Sequence, residues 1–177
     1  MGKVIAFCNM KGGVAKTSDT LNVGYELARR GHRVLMIDLD AQANLSTRAL
    51  KSEQLSTCNA FSHDILYKIA TGSIELKFRI PTVRNNLAII PSSIAMAGLE
   101  TRLALVSPEK RSVLLTKLTD ALRPAYDCIL LDCPPGAGII TVNIIKAADN
   151  IYVPVVLEDD SIRGLLSLKQ IIQTIYP

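Results

Sequence analysis

Hydrophobic and polar positions alternate between two regimes along the chain. Short apolar runs at Lys3–Cys8, Arg33–Asp38, Asn86–Pro91, Asp127–Asp132 and Asn150–Val156 read as buried strands. Between them the spacing lengthens to that of a helix. Lys16–Arg30 carries Leu21, Gly24, Tyr25, Leu27 and Ala28 along one face, and Gly31 stands where a helix C-cap belongs. Residues 39–47 read as a polar loop, and Ala60–Ala70 as a helix closing at Gly72. Further helices are predicted over Ile94–Leu105, from Ser107-Pro108 to about Arg123 before Pro124, over Ile144–Ala148, and over Ser161–Tyr176. Strands that are apolar throughout, separated by helices, predict an α/β fold: a mostly parallel sheet with helices on both faces. No linker, repeat or low-complexity tract divides residues 1–177, which read as a single domain.

Composition narrows the function classes. An apolar content of 49% excludes intrinsic disorder. The mean hydropathy of +0.26 calls for a search for membrane spans. The longest candidates, Ile139–Ile140 and Ile151–Leu157, fall far short of the roughly 20 apolar residues a span needs, so no transmembrane segment is predicted. The amino terminus enters a strand at once without a cleavage pattern, and Ala6 breaks the N-myristoylation pattern that Gly2 would begin. The net charge of +4 is compatible with an anionic partner. Cys8, Cys58, Cys128 and Cys133 form no C-x-x-C pair and read as buried reduced thiols. His32 and His63 lack metal-like neighbours and read as surface residues; Lys77, Arg79 and Arg84 read as a small basic cluster on a solvated face.

The chemistry-bearing segment is Asn9–Ser18, set between the first strand and the first helix. Gly12 and Gly13 let the backbone curl so that several N–H groups converge, and the following helix adds its positive end, which suits a phosphate. Lys16 reaches β- and γ-phosphate oxygens from the first helical turn, and the Thr17 hydroxyl suits Mg²⁺. Met10 and Ala15 occupy the two glycine positions of the strict phosphate loop. The segment therefore fits the form K-G-G-x-x-K-[ST], with Lys11 as its additional lysine. Asp132 ends an apolar strand, where a carboxylate can hold a metal-bound water. Asp38 and Asp40 are two residues apart and share a face if the strand continues.

At these residues the chain resembles the ParA/MinD group of deviant Walker A ATPases, in particular the Soj-like, ParA-type partition proteins. Met36–Asn44 is similar to the group's D-x-D-P-Q-G-N motif. Tyr126–Pro135 resembles its Walker B strand and D-x-P-P turn, and Ala148–Val155 with Gly164-Leu165 matches its fifth strand and succeeding helix. The resemblance implies a P-loop NTPase-type sheet, with ATP and Mg²⁺ as cofactors. It implies that Lys11, Gly12, Gly13, Val14, Ala15, Lys16, Thr17 and Ser18 hold the nucleotide, and that Thr17, Asp38 and Asp132 form the magnesium shell. Asp40 would position the attacking water, with Lys16 and Lys11 acting on the phosphates, Lys11 across a dimer. An ATP-dependent homodimer, nonspecific DNA and a ParB-like centromere-binding protein are the implied partners. The implied location is cytoplasmic, and nucleoid-associated in the ATP state.

Several positions depart from the group's pattern. Ala15 replaces its glycine, at a cost of about 1 kcal/mol if φ is positive there. Ala41 and Ala43 replace its proline and glycine, and Leu157 replaces a proline. The group's C-terminal portion has no counterpart, so the chain reads as C-terminally truncated, with an uncovered apolar edge that predicts marginal stability. Two other functions fit the same residues: a MinD-type positioning ATPase at a membrane, and a nucleotide-binding remnant without turnover. The D-x-D-x-Q-x-N loop favours the ParA type. Iron–sulfur chemistry is disfavoured, since Cys128 and Cys133 flank the Walker B strand.

Overall fold

A computed structural model describes residues 2–72 and 78–176. In chain order its elements begin with β1 (Lys3–Phe7), α1 (Lys16–Arg29), β2 (Val34–Asp38), α2 (Asn44–Ala49), α3 (Ser52–Ser56) and α4 (Ser62–Thr71). Next come β3 (Thr82–Arg84), β4 (Leu87–Ile90), a 3-10 turn at Ile94–Gly98, α5 (Leu99–Leu103), α6 (Pro108–Arg111) and α7 (Leu114–Leu122). The last are β5 (Cys128–Asp132), α8 (Ile139–Ala147), β6 (Asn150–Tyr152) and α9 (Asp159–Ile175).

The strands form one sheet in the order β3-β4-β2-β5-β1-β6, parallel except for β3, which pairs antiparallel with β4. Side-chain alternation divides the core between the two faces. Val34, Met36 and Leu130 point toward α1 and α2, whereas Leu35, Ile37, Ile129 and Leu131 point toward α4, α5, α7 and α8. Gly24 lets α1 lie against β2: a Cβ there would sit 2.9 Å from the Met36 sulfur. Gly2 has a packing reason of its own, since a Cβ would fall 2.1 Å from the Tyr126 carbonyl oxygen.

The mostly parallel sheet with helices on both faces is the predicted architecture, with local corrections. A sixth strand, β3, went unpredicted because Thr82–Arg84 is short and largely exposed, with no apolar run to mark it. The polar loop over 39–47 already contains the start of α2, and the expected strand over Asn150–Val156 stops at Tyr152, ahead of Pro154. The helix expected from Pro108 to Arg123 breaks at Ser112-Val113 into α6 and α7, and α8 starts at Ile139, earlier than the apolar spacing implied. His63 is a correction of another kind. It lies 6% exposed in α4, tilted against the Phe61 ring, and burial lowers its pKa. It faces inward because His63 belongs to the same helical turn as Ile65 and Leu66. Lys77 lies outside the described residues; Arg79 and Arg84 are exposed, as expected.

Candidate functional site

In the sheet register Phe7 pairs with Asp132 and Asp132 with Asp38, so the carboxyl ends of β1, β5 and β2 finish in one row. In open α/β sheets this is the edge where ligands bind. The segment after β1 turns over that row before entering α1. It uses two left-handed residues, Gly13 at φ 77° and Ala15 at φ 70°. Ala15 thus occupies the conformation anticipated from its replacement of glycine, and it begins α1 without a side-chain cap. Val14, 2% exposed, anchors the loop in the core. Lys16 is buried and folds back, its Nζ donating to the Lys11 carbonyl oxygen at 2.8 Å. That bond holds the loop closed around the ammonium group.

The first turn of α1 faces a cavity of about 470 Å³. Gly12, Gly13, Ala15, Lys16, Thr17 and Ser18 line one side, and Asp40, Gln42, Asn44, Arg48 and Pro135 the other. The structure therefore gathers the loop, Asp40 and the start of α2 into one site. Arg48 is the member that sequence reasoning missed. Its Nη1 donates to the Ser18 Oγ, thirty residues earlier in the chain, at 3.1 Å, and no local motif marks it. The nearest signal was helical spacing from Asn44, one turn earlier on the same face.

The two buried carboxylates differ. Asp132 is 1% exposed, and neither of its oxygens has a hydrogen bond of good geometry among the described residues. Burial, reinforced by the charge of Asp38, pushes its pKa up to about 7; the nearby Thr17 side chain and Lys16 work in the opposite direction. A buried polar group without a partner is expensive, so this one marks a place where something else supplies the contact. Asp38 is fully buried as well, but its oxygens are occupied. Oδ1 accepts from the Asp40 N–H at 3.1 Å, and Oδ2 accepts from the Ser46 N–H at 2.9 Å and the Ser46 hydroxyl at 2.6 Å. Burial pushes Asp38 up to about 6, against the lowering effect of those hydrogen bonds. Of the three groups expected around a metal, Thr17 and Asp132 adjoin one another beside the cavity, while Asp38 turns its oxygens to the protein.

Lys11 stands on the outer wall of the loop and forms an ion pair with Glu158, just before α9. The same corner is tied by the Asn9 side chain, which donates to the Pro154 carbonyl at 2.8 Å and accepts from the Lys11 N–H at 3.0 Å. Gly164 allows α9 to approach: a Cβ there would lie 2.4 Å from the Asn9 Oδ1. Cys8 and Cys133 are buried behind the row of strand ends, and Cys58 and Cys128 are partly exposed.

The family model described as an AAA domain matches residues 2–177. The sporulation initiation inhibitor protein Soj of Bacillus subtilis is 37% identical over 169 residues, covering 95% of this chain and 64% of its own length. The chromosome-partitioning ATPase Soj of Treponema pallidum is 33% identical over 176 residues, covering 99% of this chain and 65% of its own length. The chain thus spans slightly under two thirds of the curated relatives it matches. Among solved structures, the cobyrinic acid a,c-diamide synthase from Mycobacterium smegmatis with bound ADP and magnesium superposes with a TM-score of 0.85 at 28% identity. That match covers 99% of this chain and 68% of the other.

Proposed function

Because the chain belongs to the AAA-domain family, as a member of the ParA/MinD type, we propose that it is a Mg²⁺-dependent ATPase of plasmid or chromosome partitioning. One observation carries the reading: the buried, unpartnered Asp132 carboxylate faces Thr17 and Lys16 where the glycine-rich loop enters α1. The donor set fits a hard cation that keeps most of its waters, held by one hydroxyl and one carboxylate. The Mycobacterium smegmatis synthase, solved with ADP and magnesium and with an ATP analogue and magnesium, supports an adenine nucleotide with Mg²⁺.

In this reading the amides of residues 11–17 and the α1 amino terminus hold the phosphates, and Lys16 exchanges its bond to the Lys11 carbonyl for phosphate oxygens. Thr17 and Asp132 would hold Mg²⁺, which would supply charge neutralisation to the bound phosphates. Asp40, on the opposite wall, orients the attacking water. Asp38 serves the site from behind, as the anchor of the loop that carries Asp40. Lys11 acts on the nucleotide of a second protomer in an ATP-dependent homodimer, which requires it to leave Glu158. Gln42 and Asn44, both on the cavity wall, favour the ParA type over the MinD type. Nonspecific DNA and a ParB-like partner belong to the proposal for the whole protein. The chromosome-partitioning ATPase Soj of Treponema pallidum supports the partitioning role itself.

The test is calorimetric titration of Mg²⁺·ATP into the chain and into Lys16→Ala. Loss of binding in the variant is expected. Equal affinity in both proteins would overturn the site.

A further inference from the structure

Helix α2 begins in an unusual way. Its N-cap position is Ala43, held at φ 51° in the left-handed region, and no side chain caps the helix from there. A helix start normally finds an acceptor for its third amide in the N-cap side chain. Here that amide, the Ser46 N–H, donates instead to Asp38 at the end of β2, eight residues earlier. The Ser46 hydroxyl donates to the same Asp38 oxygen at 2.6 Å, and its oxygen accepts from the Ser92 N–H, just beyond β4, at 2.8 Å. Asp38, Ser46 and Ser92 are all buried, at 0%, 0% and 2% exposure. One hydroxyl therefore joins the ends of two parallel strands to the start of the helix that closes the loop over residues 39–43.

That loop carries Asp40, whose N–H donates to the other Asp38 oxygen at 3.1 Å. Asp40 in turn accepts from the Gln42 N–H at 2.9 Å, so Asp38 holds its backbone and the Gln42 amide holds its carboxylate. We infer that Ser46 is a positioning residue for Asp40, holding it through the buried Asp38 carboxylate by the bridge to Ser92. Ser46 is not among the residues that line the cavity. Its effect passes through the orientation of a carboxylate that has two ligation partners on Ser46 and one on the catalytic loop. Without the hydroxyl, Asp38 keeps the Ser46 amide but loses its shortest bond, and the Ser92 amide loses its acceptor in a buried site.

This inference rests on the ATPase reading for its effect on turnover, but not for its effect on the loop. Ser46→Ala, Ser46→Thr and Ser46→Cys are compared with the wild-type chain by steady-state ATP hydrolysis, Mg²⁺·ATP titration, thermal melting and amide hydrogen exchange over residues 39–45. Thr keeps the hydroxyl, and Cys fills the same space with a weaker donor in case the methyl group does not fit. Ser46→Ala is expected to lower kcat by about 10- to 100-fold, the scale of a lost catalytic alignment. Its KM and ATP affinity should stay within about twofold, and exchange over 39–45 should accelerate at least tenfold, while Ser46→Thr restores both or Ser46→Cys falls between. Unchanged exchange in Ser46→Ala, or kcat and ATP affinity falling in parallel without rescue, would overturn the positioning role. A wild-type chain that binds no Mg²⁺·ATP would instead overturn the ATPase reading, with exchange still deciding whether Ser46 holds the loop.

Discussion

Asp132→Asn replaces a buried carboxylate by an uncharged side chain of nearly the same shape. Burial, and then the charge of Asp38, push this carboxyl from an ordinary 3.8 up to about 7. Between those values the folded chain keeps a proton that the unfolded chain has released. Wild-type stability therefore falls as pH rises from about 4 to about 7 and levels off above it. At roughly 1.4 kcal/mol per pH unit, the full interval corresponds to about 4 kcal/mol, a large part of a domain's 5–15 kcal/mol. The amide is buried without a partner just as the protonated acid is, so that penalty cancels. The variant's advantage is then about 1 kcal/mol at pH 4.5 and about 4 kcal/mol at pH 8. Urea unfolding of both proteins at the two pH values, without nucleotide or Mg²⁺, measures the gap. With Asp132 holding Mg²⁺ as proposed above, adding Mg²⁺ with ATP should narrow the gap at pH 8, because bound ligand stabilises the wild-type chain more than the variant. A stability difference that does not change with pH would refute the reasoning, since packing alone carries no proton dependence.

Two further outcomes follow from the loop geometry. Ala15→Gly relieves a left-handed alanine at about 1–2 kcal/mol, partly offset by the greater unfolded freedom of glycine at about 0.4–1 kcal/mol, so the melting temperature should rise by about 1–4 °C; a fall in calorimetric scans would contradict the strain. Glu158→Gln frees Lys11 from its exposed ion pair and, if Lys11 acts across the dimer proposed above, should tighten that ATP-dependent dimer by at most a fewfold, read by sedimentation at several protein concentrations. Weaker dimerisation in that variant would mean that Glu158 assists the assembled state.

Much of this protein was legible in its sequence because local rules determined it. The apolar runs at Arg33–Asp38 and Asp127–Asp132 read as strands buried on both faces, and strands of that kind separated by helices point to a parallel sheet. The glycine-rich turn ahead of Lys16 and Thr17 read as a phosphate site, and Ala15 in a glycine position raised the question of a positive φ, which the fold answers at 70°. What the sequence could not decide were relations between distant residues. Asp38 and Asp132 look alike as strand-ending acids, yet the register places one against Ser46 and leaves the other without a partner. Arg48 reaches Ser18, Lys11 meets Glu158 and His63 turns inward only once the helices have packed. Periodicity reports which face of an element is buried, because burial follows from backbone geometry. Which groups then share that burial depends on how the sheet orders its strands, and that order is a property of the folded chain alone.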